Sequence, residues 1–166
     1  PALPAGPGLL TLAFDIIASY ASPLAAGRTA PLVLSLARAA CIGGMAGGQA
    51  FDLAAEKKAP DEAGIITLQA MKTGALLRFA CEAGAIAAGA SDADRQTMRK
   101  FGETIGLSFQ LADAVLDVTS DAATLGKATG KDAGRGKGTL VALPGTEWAE
   151  TRLDALTQEA ESLPSP

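Results

Sequence analysis

The chain has 166 residues, of which 48% are apolar, and this length and composition fit one compact domain over residues 1–166. Its 14 basic and 18 acidic side chains leave a net charge of -4, and only 4% of the residues are aromatic. Both values argue against a nucleic-acid ligand, which needs a basic surface and aromatic side chains for base stacking. Because histidine is absent, the Ser-His type of nucleophile and most zinc chemistry are excluded.

The two cysteines and the lengths of the apolar runs indicate the cellular compartment in which the protein is expected. Cys41 and Cys81 lie in apolar helical stretches, so we expect two buried small side chains and neither a disulfide nor a nucleophile. Uncharged runs stay shorter than the roughly 18 residues that a membrane span needs, because Asp15 interrupts the longest early stretch. The first residues also lack a basic signal-peptide head. We therefore expect a soluble, cytoplasmic protein without stable membrane insertion.

The chain begins with two predicted helices and a glycine-rich interruption. Strand-type alternation is nearly absent and helix formers dominate, which predicts an all-α fold. The first helix is expected over about 9–21, and Pro31 suits the first turn of the second helix. Four glycines within residues 43–48 predict either a break or a close backbone contact, and we favour the break.

Three further helices are predicted after this interruption, over about 61–88, 91–118 and 146–161. Asp61 is the expected N-cap of the first of them, and Gly89 should end it. Ser91 and Asp94 resemble a capping box at the start of the next helix. The segment 120–138 between the last two helices is predicted to be a loop.

The helix over 91–118 carries the most informative polar residues. At about 100° per residue, Gln110, Asp113 and Asp117 share one face of the helix. Two carboxylates one turn apart suit Mg²⁺, a hard cation that shares its ligands with substrate phosphates. A solvated acidic face gives the same spacing, and the spacing alone leaves these two interpretations at about even odds.

Lysines stand in two other positions that suggest an anionic ligand. The loop after residue 120 is rich in glycine and contains Lys127, Lys131 and Lys137, a pattern that suits phosphate or diphosphate but also a flexible linker. Lys72 and Thr73 interrupt an apolar helix, where the lysine either extends to water or meets a buried anion. Taken alone, the extension to water is favoured for Lys72.

The order of these motifs closely resembles the trans-prenyl diphosphate synthases, farnesyl and geranyl diphosphate synthases in particular, over nearly the whole chain. The motifs are Gly47-Gly48-Gln49-x-x-Asp52, Lys72-Thr73-Gly74, Gly102-x-x-Ile105-Gly106-x-x-Phe109-Gln110-x-x-Asp113-x-x-x-Asp117 and Leu125-Gly126-Lys127-x-x-Gly130-Lys131-Asp132-x-x-x-Gly136-Lys137.

The resemblance implies an antiparallel all-α bundle around a deep central cavity. In such a bundle an allylic diphosphate ionises, isopentenyl diphosphate captures the cation, and Mg²⁺ held between two Asp-rich motifs draws off the diphosphate. A homodimer is also expected. The implied roles are metal binding by Asp113 and Asp117, diphosphate binding by Lys72 and Lys127, stabilisation of the cation by Thr73 and Gln110, and further substrate or cavity-wall contacts by Gln49, Asp52 and Lys137.

The sequence departs from the family pattern in ways that leave alternatives open. Ala114 occupies the second place of the expected Asp-Asp-x-x-Asp motif, and the first Asp-rich motif is missing. The chain therefore looks like the second half of a synthase, a partial bundle. One alternative is a non-catalytic helical subunit that binds a partner synthase, and a terpene cyclase of similar architecture is a third interpretation.

Overall fold

The computed structural model describes residues 2–19, 22–25, 27–58, 60–119 and 145–163, and within these ranges the regular structure is helical and contains no strand. The predicted all-α fold is thereby confirmed. The helices are α1 (Ala2–Ala18), α2 (Thr29–Ala40), α3 (Met45–Ala55), α4 (Glu62–Gln69), a π-helical turn (Ala70–Gly74), α5 (Ala75–Ala88), α6 (Asp92–Thr119) and α7 (Thr146–Ser162).

Helices α5 and α6 form an antiparallel hairpin at the centre of the fold. Gly89 adopts a left-handed conformation (φ 74°) and ends α5, as predicted. Two glycines of α6 let the helices approach closely, because a Cβ atom on Gly102 would lie 2.6 Å from the Cα of Arg78, and one on Gly106 would lie 3.0 Å from the Cα of Gly74. This close contact lies at the end of the hairpin distant from Gly89 and sets α6 against the π-helical turn.

Helix caps follow the sequence predictions closely. The Asp61 carboxylate accepts a 2.8 Å hydrogen bond from the backbone N–H of Gly64, which confirms Asp61 as the N-cap of α4. At the start of α6 the Ser91 hydroxyl accepts from the backbone N–H of Asp94 and donates to its carboxylate. The Asp94 carboxylate thus accepts from the Ser91 side chain, whereas the longer glutamate of a standard capping box accepts from the backbone N–H of the capping residue.

The glycine-rich segment both breaks the helix and permits a close contact. Residues 41–44 form a turn between α2 and α3, as predicted, while Gly47 and Gly48 lie inside α3. By length and composition the stretch Thr29–Ala55 would be apolar enough to cross a membrane. The turn divides it, however, and α2 and α3 pack against α5 and the π-helical turn.

Helix α7 covers the other side of α6. The most buried apolar cluster joins Ile65 of α4, Leu111 of α6, and Ala149 and Leu156 of α7, each no more than 2% exposed. At the far end, the Lys100 ammonium lies 3.0 Å from the Glu159 carboxylate. Helix α6 is therefore packed on two sides, which leaves only part of its circumference for polar residues.

Two expectations were wrong. Helix α1 covers Ala2–Ala18 where 9–21 was predicted, because Pro7 is accommodated inside it and the Thr11 hydroxyl donates to the Pro7 carbonyl at 2.8 Å. Cys41 was expected to be buried but is exposed, because α2 ends at Ala40 and the residue falls in the turn. Both cysteines are free thiols, as predicted. The predicted loop over 120–138 lies outside the described residues.

Candidate functional site

An ion pair between α3 and the π-helical turn lies at the centre of the candidate site. The Lys72 ammonium is 2.8 Å from an oxygen of the Asp52 carboxylate. The Asp52 side chain is only 11% exposed and that of Lys72 is 35% exposed. The favoured prediction that Lys72 simply extends to water was therefore wrong: its ammonium meets a buried carboxylate that the lysine charge stabilises.

Glycine at position 48 makes this ion pair possible. A Cβ atom on Gly48 would lie 2.5 Å from the Cα of Lys72, so the backbones of the two elements touch. Gly47 is equally confined, since its Cβ atom would lie 2.9 Å from the Met71 side chain. The short distance lets Asp52, one helical turn after Gly48, reach the lysine side chain across the interface.

Lys72 and Thr73 lie in a π-helical turn, which the sequence analysis missed by predicting one continuous α-helix. Such turns insert an extra residue into a helix and are frequent at functional sites. The local sequence offers one hint, Gly74, which is buried against Gly106 of α6 and ends the π-helical turn. Thr73 is half-buried.

Helix α6 contributes the predicted amide and carboxylates. Gln110 is half-buried and Asp113 is exposed. The reason is that Leu111 and Ala114 occupy the faces that pack toward α7. Asp117 belongs to α6, but its side chain is outside the described part of the structure, as are Lys127 and Lys137 in their entirety.

The substituted position of the acidic motif points away from its exposed aspartate. Ala114 packs against the apolar cluster formed with α7, whereas Asp113 is on the exposed face. The departure from Asp-Asp-x-x-Asp thus falls on the packed side of the helix. A carboxylate at position 114 would be partly buried among apolar side chains, which is costly.

Two other predicted residues behave differently from each other. Gln49 and Asp52 were expected on one wall of the cavity, yet Gln49 is exposed while Asp52 is buried. A cavity of about 260 Å³ lies between the π-helical turn and α6. Its lining includes Gln69, three residues before Lys72, and Gly74, directly after Thr73. The structure therefore joins Asp52 to Lys72 directly and leaves Gln49 on the surface.

The oxygen donors on α6 are compatible with magnesium. The described residues contain no group of three or more acidic, cysteine or histidine side chains that would enclose a metal by themselves. Mg²⁺ is usually held by one or two carboxylates together with waters and substrate phosphates. The exposed Asp113, with Asp117 one turn later on the same helix, fits that donor set.

A buried charge network was not anticipated by the sequence analysis. The Glu82 carboxylate accepts hydrogen bonds from Arg99 (2.6 and 3.2 Å) and Arg95 (3.2 Å), and the Ser35 hydroxyl is 3.5 Å away. Burial tends to raise the pKa of Glu82, but the hydrogen bonds and charges of Arg99 and Arg95 outweigh it, and the pKa is lowered. The sequence contains one hint of this network: a glutamate within an apolar helix, and two arginines four residues apart in the next helix.

Together these observations define an all-α protein in which a lysine and a buried carboxylate pair across one helical junction, and a packed helix carries an exposed aspartate. The polyprenyl synthetase family model matches residues 1–163. The chain belongs to the polyprenyl synthetase family, as its motifs indicated.

Individual relatives agree with this assignment. The farnesyl diphosphate synthase of Escherichia coli is 42% identical over 163 residues, which cover 96% of this chain and 54% of the relative. The chloroplastic geranylgeranyl pyrophosphate synthase 3 of Arabidopsis thaliana is 40% identical over 161 residues, covering 95% of this chain and 45% of the relative. The chain thus spans about half the length of the curated relatives it matches.

Solved structures show the same fold. An FPP/GFPP synthase from Zymomonas mobilis superposes with a TM-score of 0.81 at 35% identity, covering 95% of this chain and 52% of the other. A geranyltransferase from Helicobacter pylori, solved with magnesium and isoprenyl diphosphate, superposes with a TM-score of 0.79 at 29% identity, covering 93% and 50%.

Proposed function

We propose that this chain supplies diphosphate-binding and metal-binding residues of a prenyltransferase that condenses isopentenyl diphosphate with an allylic diphosphate. The observation that carries the proposal is the ion pair between Asp52 and Lys72 beside Thr73 in a π-helical turn. A lysine ammonium has three N–H groups. One of them points to the carboxylate, and the other two can donate to an anion. Family membership and the exposed acidic face of α6 support the same chemistry.

Each residue of the site has a distinct role in this proposal. Lys72 donates to the departing diphosphate and compensates its growing negative charge, while Asp52 fixes the lysine side chain in place. The hydroxyl of Thr73 and the amide oxygen of Gln110 turn their negative ends toward the developing allylic cation. The diphosphate itself accepts the proton that leaves in the last step, which agrees with a chain that has no histidine.

Asp113 and Asp117 would hold Mg²⁺, which would supply Lewis-acid stabilisation of the leaving diphosphate. Lys127 and Lys137 are proposed as further diphosphate ligands and Gln49 as a polar side chain at the edge of the site. Because the relatives are about twice as long, the proposed activity concerns the whole enzyme to which these residues contribute.

The proposal includes a homodimer in the cytoplasm. Helix α1 exposes Leu9, Leu12 and Ile16 on one stripe, with 49–68% of each residue exposed. Burial of such an apolar stripe against another chain is favourable. Light scattering after size-exclusion chromatography measures the mass in solution, and a strictly monomeric species would contradict the dimer.

The decisive experiment measures transfer of labelled isopentenyl diphosphate to an allylic diphosphate with Mg²⁺ by the enzyme that contains this chain. We expect Lys72→Gln to lower kcat/KM by roughly 10²–10³, the usual cost of removing one preorganised donor from a charged transition state. Lys57→Gln, at an exposed lysine just after α3, is the matched control and should leave turnover unchanged. Equal turnover by Lys72→Gln and the parent would overturn the proposal.

A further inference from the structure

A second cavity, of about 530 Å³, lies among α2, α5 and α6. Its lining includes neither Asp52 nor Lys72, although Arg78 also borders the 260 Å³ cavity beside the π-helical turn. Four arginines line the larger cavity, Arg38, Arg78, Arg95 and Arg99, against a single carboxylate, Glu82. This concentration of positive charge is local, because the chain as a whole has a net charge of -4. A cavity whose lining carries a net positive charge focuses the field on its interior and favours an anionic ligand.

The floor of this arginine-lined cavity has more donors than acceptors. The Glu82 side chain, 5% exposed, is shared by the guanidinium groups of Arg95 and Arg99, and Arg95 also contacts the exposed Asp92 carboxylate at 3.3 Å. The Nε atom of Arg95 is buried and finds no acceptor among the described residues. Buried donors are rarely left without an acceptor, which indicates that this wall is short of oxygen atoms.

The other two arginines have guanidinium groups that a ligand can recruit. Arg38 is exposed near the end of α2 and forms no ion pair with the residues that the structure describes. Arg78 is 3.5 Å from Glu103, and the two side chains are 40% and 47% exposed. An ion pair of that length in solvent contributes little, so Arg78 is free to turn toward an anion.

We propose that the arginine-lined cavity binds a diphosphate group, as a second anion site independent of Lys72. Guanidinium forks match phosphate oxygens in paired hydrogen bonds, and two or more of them favour a group with several charged oxygens. The volume falls within the roughly 300–1,000 Å³ of small-molecule sites. Leu34 and Phe79 add apolar wall, which accommodates the small organic part of a diphosphate ester.

Isothermal titration calorimetry of the full chain in EDTA tests this site, because the removal of Mg²⁺ disfavours binding at the acidic helix. Inorganic pyrophosphate and isopentenyl diphosphate are titrated separately, so that the contribution of the organic part is measured. We expect saturable binding of at least one of them, weakened about tenfold by Arg38→Gln, the effect of losing one charge-assisted hydrogen bond. Tighter binding of the ester would assign the apolar wall to its organic group.

Two control variants locate the binding. Arg152→Gln removes an exposed arginine from α7, far along the chain, and should leave the affinity unchanged. Lys57→Gln, the exposed-lysine control of the turnover assay, should also leave it unchanged. The proposal is overturned if neither compound binds, if Arg38→Gln binds as tightly as the parent, or if Arg152→Gln or Lys57→Gln loses as much affinity as Arg38→Gln.

Discussion

Asp52 and Lys72 are 20 residues apart in the chain, and their side chains meet at 2.8 Å across the contact between α3 and the π-helical turn. The carboxylate is buried and the lysine is half-buried, so the pair combines a structural contact with access to solvent. A lysine held in this manner is ready to receive an anion without first losing the entropy of a mobile side chain. The pair therefore links the fold to the proposed chemistry.

Asp52→Asn should destabilise the chain by about 1–2 kcal/mol, because a charge-assisted hydrogen bond becomes a neutral one at a buried position. The partial exposure of Lys72 keeps the cost below that of breaking a fully buried pair. Urea unfolding followed by circular dichroism measures the change. The control is Glu159→Gln, which breaks the more exposed ion pair with Lys100 and should cost about 0–1 kcal/mol. Equal costs in the two variants would contradict a special role for the Asp52 pair.

Gly48→Ala should be costlier, since the added methyl group collides with the Lys72 backbone and the two elements must move apart. We expect a loss of about 1–3 kcal/mol, as for other overpacked contacts. In Gly84→Ala, by contrast, the new Cβ atom meets open space on the exposed face of α5, so the variant should gain about 0.5–1 kcal/mol of helix stability. Thermal unfolding of both variants tests the contact, and a neutral Gly48→Ala would show that the backbones are not close there.

Much of the fold follows from local signals in the sequence. Asp61 and Gly89 cap their helices as predicted because each acts through its own backbone neighbours. The pairing of Lys72 with Asp52 was not predicted, because it depends on how closely two helices approach, and that distance is set by Gly48 in the tertiary contact. Helical spacing placed Gln110 and Asp113 on one face but could not decide which face α7 would cover.

Acid should weaken the chain through Glu82. Its pKa is lowered from 4.5 by Arg99 and Arg95 against the opposing effect of burial, so the folded state holds the ionised form more firmly than the unfolded chain does. This contribution to stability is complete above about pH 4.5 and is lost as the pH falls through the lower folded-state pKa.

Glu82→Gln removes this pH dependence and should cost about 1–3 kcal/mol at pH 7, since two arginines then face a neutral amide. Free energies of unfolding measured from pH 7 down to about pH 3 should converge for parent and variant as the Glu82 charge is lost. Glu159→Gln should instead follow the parent profile closely. A constant difference between the parent and Glu82→Gln across that range would show that ionisation of Glu82 does not stabilise the fold.

The two thiols should react at different rates with a disulfide reagent such as dithionitrobenzoate. Cys41 is exposed in the turn after α2, whereas Cys81 is half-buried in α5, where burial raises the pKa of its thiol. Because the thiolate is the attacking form, Cys81 is disfavoured both by access and by its smaller ionised fraction at neutral pH. Native protein should therefore show a fast phase of one thiol followed by a slow phase.

Cys41→Ser should abolish the fast phase and Cys81→Ser the slow one, while in denaturant both thiols should react together. A single fast phase of two thiols in the native chain would place Cys81 at the surface and contradict its packing in α5.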